Sequence, residues 1–195
     1  VLLINIKGMF MVLINAIVTE RLIIRKFSED DWEDIYEYLS NEDVVKFEPY
    51  KIFSREESRE EAIYRAKNNN FLAVCLKKTG KVIGNLYLIK KEYDNYQIGC
   101  IFNHNYWNNG YATESFNALI EYAFNRIKAR RIIALCNPEN IPSWKLLERV
   151  NMRREGCFKE NIYFKIDENN RPIWQDTYEY AILSSEWKDK QHKNN

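Results

Sequence analysis

The residues best suited by type and spacing to do chemistry lie in Tyr106-Trp107-Asn108-Asn109-Gly110-Tyr111-Ala112-Thr113-Glu114, between a strand-like and a helix-like run. Upstream, Tyr96 to Phe102 is apolar and rich in β-branched or aromatic residues, bounded by the turn-like Asp94-Asn95. Downstream, Phe116, Leu119, Ile120, Ala123, Phe124 and Ile127 recur at helical spacing and make one apolar face. The first N–H groups of such a helix lack an intrahelical partner and sit at the positive end of its dipole. Gly110 and Ala112 keep side chains clear of those N–H groups, which suits an oxygen-rich anion such as a pyrophosphate. Strand–glycine–helix joints also serve purely structural ends, and the chain has neither G-x-G-x-x-G nor G-x-x-x-x-G-K-[ST]. The loop alone leaves both readings open.

A second constellation follows. Arg131 to Cys136 reads as a short buried strand, leading into Asn140-Ile141-Pro142-Ser143 and a helix through Arg149. Asn140 suits the N-cap, Pro142 the first turn, and Asn151 a left-handed exit.

With these two loops in order, the chain resembles the GCN5-related N-acetyltransferase (GNAT) superfamily, and within it the branch of Rim-type ribosomal-protein N-terminal acetyltransferases. The cofactor loop of that superfamily reads Q/R-x-x-G-x-G/A, and Trp107 to Ala112 occupies it. Tyr106-Trp107 and Gly110 to Glu114 match the branch pattern. Asn140 and Ser143 match its Asn-x-x-Ser, with Asn151-Met152 in place of the Gly-Phe that follows. Thr19-Glu20-Arg21-Leu22-Ile23-Ile24-Arg25 is similar to its opening. Trp174-x-Asp176, Tyr180 to Leu183 and Glu186-Trp187 are similar to its close. The resemblance covers about residues 19 to 187.

It implies an N-acetyltransferase that moves acetyl from acetyl-CoA, as co-substrate, directly to a primary amine such as a peptide N-terminus. It implies backbone contacts to pantetheine and the thioester carbonyl from Ile101, Phe102 and Asn103. Trp107, Asn108, Asn109, Gly110, Tyr111, Ala112 and Thr113 would cradle the diphosphate. A tyrosine acid common in the superfamily falls at Leu147, which has no proton to give, so Ser143 becomes the candidate contact to the thiolate. Its alternative is a plain helix-start serine. Asn140 would bond pantetheine or brace the neighbouring strand while capping the helix. The glutamate base of many relatives is replaced by Gln97, which leaves Glu92, Asp94, Glu160, Asp176 or ordered water. Asp176 orients the acceptor amine or simply caps a strand. His104 has a suitable intrinsic pKa, but Asn103 and Asn105 favour a solvated loop. Cys100 reads as packing, with a covalent route as the alternative. Asn108 and Asn151 replace glycines, and asparagine visits positive φ more readily than most residues.

These loops must be held by the rest of the chain. Leu22 to Phe27 reads as a strand, Ser28 with Asp31 and Ser54 with Glu57 as capping boxes opening two helices. Phe71 to Leu76 and Val82 to Ile89 form a hairpin around Lys78-Thr79-Gly80-Lys81, and Arg154 to Lys165 and Pro172 to Leu183 a longer one around Glu168-Asn169-Asn170. The fold class is α/β: one GNAT-like domain over 19–187, with a mixed, largely antiparallel sheet and helices on both faces. The resemblance implies that the sheet splays beside Tyr96 to Phe102. Residues 1–18, apolar with Lys7 as the sole charge, form an extension, read as an extra strand or a disordered lead-in. They are too short and interrupted to span a bilayer and lack a clear secretory pattern. Residues 188–195 are a polar tail.

With 195 residues and 46% hydrophobic content, one substantial core needs no disulfide staples. A net charge of +1 with evenly mixed signs argues against nucleic acid as a partner. The four widely spaced cysteines read as small core residues in a reducing, cytoplasmic setting, and with only two histidines no metal is expected. The sequence is compatible with a monomer or a homodimer. Two other activities stay open: acetylation of a small molecule (polyamine, aminoglycoside or amino sugar), or CoA binding without catalysis.

Overall fold

The computed structural model describes residues 4–6, 9–11 and 16–187. Within the 1–18 extension, Ile4–Ile6 (β1) and Met9–Met11 (β2) pair antiparallel in a small separate sheet. Ile17–Val18 (β3) joins the edge of the main sheet. Residues 1–3, 7–8 and 12–15 of the extension and the 188–195 tail lie outside the described residues.

Leu22–Arg25 (β4) is shorter than its apolar run. The Arg25 guanidinium folds onto Asp31 at 2.7 and 2.8 Å, while Asp31 also accepts the Ser28 N–H at 2.7 Å. That capping box opens one 3₁₀ turn and then Trp32–Leu39 (α1). Glu42–Val45 (α2), a helix not expected from the sequence, is started by the Asn41 side chain accepting from the Asp43 N–H at 2.9 Å. Arg55–Lys67 (α3) opens on the Ser54–Glu57 box. Phe71–Leu76 (β5), Val82–Lys90 (β6) and Asn95–Phe102 (β7) follow. Tyr111–Tyr122 (α4) runs on through a π turn over Ala123–Ile127, so its apolar face persists, and a left-handed Lys128 stops it. Arg131–Cys136 (β8), Ile141–Arg149 (α5), Arg153–Ile166 (β9) and Pro172–Leu183 (β10) complete the chain. The last hairpin turns at Asp167, whose carboxylate accepts from the Asn169 and Arg171 N–H groups, with Asn170 at positive φ.

The main sheet has the order β3-β4-β5-β6-β7-β8-β10-β9 and is antiparallel except between β7 and β8. Those two run parallel because α4 carries the chain back across the sheet. Alternation along the strands separates two cores. Leu22, Ile24, Leu72 and Val74 face α4 and α5, whereas Ala73, Cys75 and Val82 face α1 and α3. The sheet is therefore covered on both faces, as expected. Cys75 and Cys136 are buried and Cys100 partly so, but Cys157 is exposed, because it lies on the projecting β9–β10 hairpin and not in the core. Among the described residues no helix is long and apolar enough to cross a membrane.

The feature that matters for a site is the seam between β7 and β8. Their pairing covers only Asn95↔Arg131, Tyr96↔Ile132 and Gln97↔Ile133. Beyond it, residues 98–102 and 134–136 diverge. A wedge opens in the middle of the sheet, and α4 and α5 begin at its mouth.

Candidate active site

The loop between β7 and α4 leaves its amides unclaimed. The first hydrogen bond of α4 runs from the Glu114 N–H to the Gly110 carbonyl at 3.0 Å. Among the described residues no protein acceptor takes the N–H groups of Asn108 through Thr113. Gly110 is the N-cap at φ +78°, with no capping side chain, and Asn108 also sits at positive φ. Trp107 supports this loop, donating its indole N–H to the Phe102 carbonyl at 2.8 Å, while the Asn109 side chain donates to the Trp107 carbonyl at 2.9 Å.

Arg21 clamps the loop from outside. Its guanidinium donates to Glu114 at 2.6 Å and to the Asn109 carbonyl at 3.0 Å, and lies 4.6 Å from the Tyr111 ring centroid. Thr19 donates to the same Glu114 carboxylate at 2.6 Å. Arg149, from α5, donates to the Thr113 hydroxyl at 3.2 Å. Two cations thus flank six free amides, an arrangement that fits a diphosphate. Removing the Arg21 clamp (Arg21→Ala) is expected to raise the Kd for acetyl-CoA about tenfold in calorimetry through loss of positioning, with little loss of fold stability.

The wedge holds a cleft of about 440 Å³, lined from β7, β8 and the start of α5. The Asn103 N–H donates to the Ile83 carbonyl at 2.9 Å, and strict antiparallel alternation then turns the backbone of Ile101 and Gly99 toward β6 as well. This corrects the expectation for Ile101 and Asn103: the Ile101 backbone and the Asn103 N–H serve the sheet, and the Asn103 carbonyl accepts from the Tyr106 N–H at 2.9 Å. Those of Phe102, Cys100 and Ile98 point to the open side. The Asn103 side chain is buried and donates to Glu37 at 2.9 Å, so Asn103 holds the strand end in place.

Asn140 and Ser143 line the cleft from the start of α5. The Asn140 side chain accepts from the Ser143 N–H at 3.2 Å, so Asn140 is the N-cap, and Ser143 is partly exposed. Leu147 lines the same wall. Burial pushes the Cys100 thiol strongly up, which keeps it protonated and a poor nucleophile. That disfavours a covalent relay through it.

Of the carboxylates considered as bases, three are not part of the cleft lining. Glu92 and Asp94 are exposed on the turn before β7, beyond the paired end of the seam. Glu160 is exposed on β9, its N–H donating to Asp176 at 3.0 Å. His104 is also exposed, with Nδ1 3.1 Å from Asn41 Nδ2. Asp176 does line the cleft, at a bulge of β10. Lys159 holds it at 2.6 Å, and that bond, with the Glu160 N–H, keeps its carboxyl below the usual range. An already ionised and paired Asp176 is a weak proton acceptor. Its geometry suits orientation better than abstraction.

Glu48 was not among the residues singled out from sequence. It lies between α2 and α3 in Phe47-Glu48-Pro49-Tyr50 and lines the cleft beside Tyr50 and Tyr87. Burial pushes its carboxyl up to about 7 against the opposing pull of Arg65. Keeping it ionised at neutral pH therefore costs folding free energy, a pattern more common in working sites than in scaffolds. The only local hint was an acid set between aromatics at a proline turn. Tyr87 crosses β7 where Gly99 leaves room, since a Cβ there would lie 2.2 Å from its ring.

Residues 21–153 match the acetyltransferase (GNAT) domain family. The chain is 40% identical over 174 residues to the uncharacterized N-acetyltransferase YnaD of Bacillus subtilis, covering 88% of this chain and 98% of that one. It is 29% identical over 180 residues to the uncharacterized N-acetyltransferase p20 of Bacillus licheniformis, covering 88% and 98%. Among solved structures, a GNAT-family acetyltransferase from Bacillus anthracis superposes with a TM-score of 0.78 at 39% identity, covering 88% of this chain and 99% of that one. The matched domain and the fold are those of acetyltransferases. The chain belongs to the GNAT family.

Proposed function

We propose that the chain transfers acetyl from acetyl-CoA directly to a primary amine. The observation that carries this is the run of free amides from Asn108 to Thr113 opening onto a splayed seam. The co-substrate supplies an activated thioester. The cradle amides, with Arg21 and Arg149 beside them, hold its diphosphate, and the outward backbone of Cys100 with the free N–H of Phe102 pairs with pantetheine and the thioester carbonyl. Asn140 keeps α5 in position and meets the pantetheine amide, while the Ser143 hydroxyl donates to the departing sulfur. Asp176 orients the incoming amine.

The acceptor end is ringed by Phe47, Tyr50, Phe71, Tyr87, Ile162 and Phe164. Such a lining favours a small amine carried on an apolar body over a polycation, which would need an acidic groove. A peptide N-terminus bearing an apolar first side chain fits the same description.

Thermal shift with acetyl-CoA, followed by thiol release across amines, tests the proposal. Stabilisation and amine-dependent release are expected. Stabilisation with no release from any amine would reduce the protein to a CoA-binding module. Ser143→Ala is expected to lower kcat about 10- to 100-fold while leaving the Kd for acetyl-CoA nearly unchanged.

A further inference from the structure

Glu48 is held by its backbone and left free at its head. Its N–H donates to the Val45 carbonyl at 3.0 Å, fixing the turn. Among the described residues no ion pair or hydrogen bond engages its carboxylate, and no unpartnered side-chain oxygen is sealed away, so its oxygens open to the cleft. The charged and titratable groups around it are otherwise committed. From α3, Arg65 donates to Glu61 at 2.7 Å, and also to Tyr38 of α1 at 3.0 Å and Asn85 of β6 at 2.8 Å. Tyr50 on the same turn, Tyr87 of β6 and Cys100 of β7 are all pushed up by burial and stay neutral near pH 7. Across the cleft, Asp176 is tied to Lys159. Cys136 of β8, on the same lining, is likewise pushed up by burial, whereas the Glu48 carboxyl lies at about 7.

We infer that Glu48 is the catalytic base, its carboxylate taking a proton from the acceptor ammonium so that the nitrogen can attack. This rests on the acetyl-transfer reading. The nitrogen lone pair forms the C–N bond as the C–S bond breaks. One ammonium proton passes to Glu48 and the second reaches the sulfur through the Ser143 hydroxyl. Glu48 then returns its proton to water. Nothing is oxidised or reduced. Because the base must be ionised, the rate with an ammonium acceptor rises as pH increases through about 7.

The test compares wild type with the near-isosteric Glu48→Gln, after calorimetry on both with acetyl-CoA. Failure of wild type to bind removes the acetyl-transfer reading and is recognised at that step. Carbon-13 NMR of glutamate carboxyls then needs no acceptor. One resonance titrating near pH 7 and absent from Glu48→Gln is expected, whereas loss of a resonance in the ordinary carboxylate range overturns the proposal. Ethylamine, charged at pH 7, and trifluoroethylamine, neutral there, are the probe acceptors. Glu48→Gln should slow transfer to ethylamine at least about 100-fold and to trifluoroethylamine only a few-fold. Equal losses with both would make Glu48 a wall of the pocket and refute its role as base. If wild type binds acetyl-CoA but acetylates neither probe, the NMR titration decides.

Discussion

Gly110→Val is expected to raise the Kd for acetyl-CoA at least about 100-fold, or about 2.7 kcal/mol, in isothermal calorimetry. Two effects combine. At φ +78° the residue occupies a conformation that a β-branched side chain resists, so the turn itself must rearrange. The added carbons also have to share space with Arg21, whose guanidinium would lie 3.4 Å from even the first of them. Displacing Arg21 breaks its hold on Glu114 and Asn109, and with it the direction of the free amides. Gly110 itself lacks a side chain in the core, although its neighbours Tyr106, Tyr111 and Ala112 pack against it, so the fold should lose about 1–3 kcal/mol and a cooperative melt should survive. Retained tight binding would mean that the diphosphate is gripped elsewhere.

Gly84→Ala is expected to act on the other wall. A Cβ at this position would lie 2.4 Å from the Ile101 carbonyl oxygen and 2.9 Å from the Phe102 Cα. Both are backbone atoms of β7, so no side-chain rotation relieves the contact, and β6 and β7 must separate at the open end of the seam. The expected cost is about 2–3 kcal/mol of stability in urea titration, as for overpacked cores. Transfer rate should fall further than stability alone explains, about 100-fold, because misplacement of β7 by a fraction of an ångström misaims the Cys100 and Phe102 amides. Unchanged kinetics in a folded variant would show that this strand does not position the reacting carbonyl.

Much of the frame was legible because local chemistry and global fold agree. Ser28, Ser54 and Asn140 cap helices where their spacing said they should, and Asn151 exits α5 at positive φ. The strand–glycine–helix joint at Gly110 was legible as a joint, with Gly110 at positive φ opening α4, while its use as a cradle rested on the second loop and the resemblance together. What could not be read depends on pairing across the chain. The truncated β4 reflects Arg25 reaching Asp31, and the short α2 depends on a single Asn41 cap. Backbone direction along β7 follows from one bond, Asn103 to Ile83, that no pattern within the strand discloses. Glu48 was invisible for a related reason. Its significance comes from Arg65 being occupied and from tyrosines on other elements closing around it, whereas Glu92, Asp94 and Glu160 looked as suitable in one dimension and lie outside the cleft.

The central claim is that the amides of residues 108–113 hold the diphosphate of coenzyme A at the mouth of the open seam. A crystal of the protein soaked with CoA tests it most directly. Diphosphate oxygens within hydrogen-bonding distance of those N–H groups, with the pantetheine arm running between β7 and β8, are the predicted result. Density for the diphosphate at any other surface, with the cradle still filled by water alone, would contradict it.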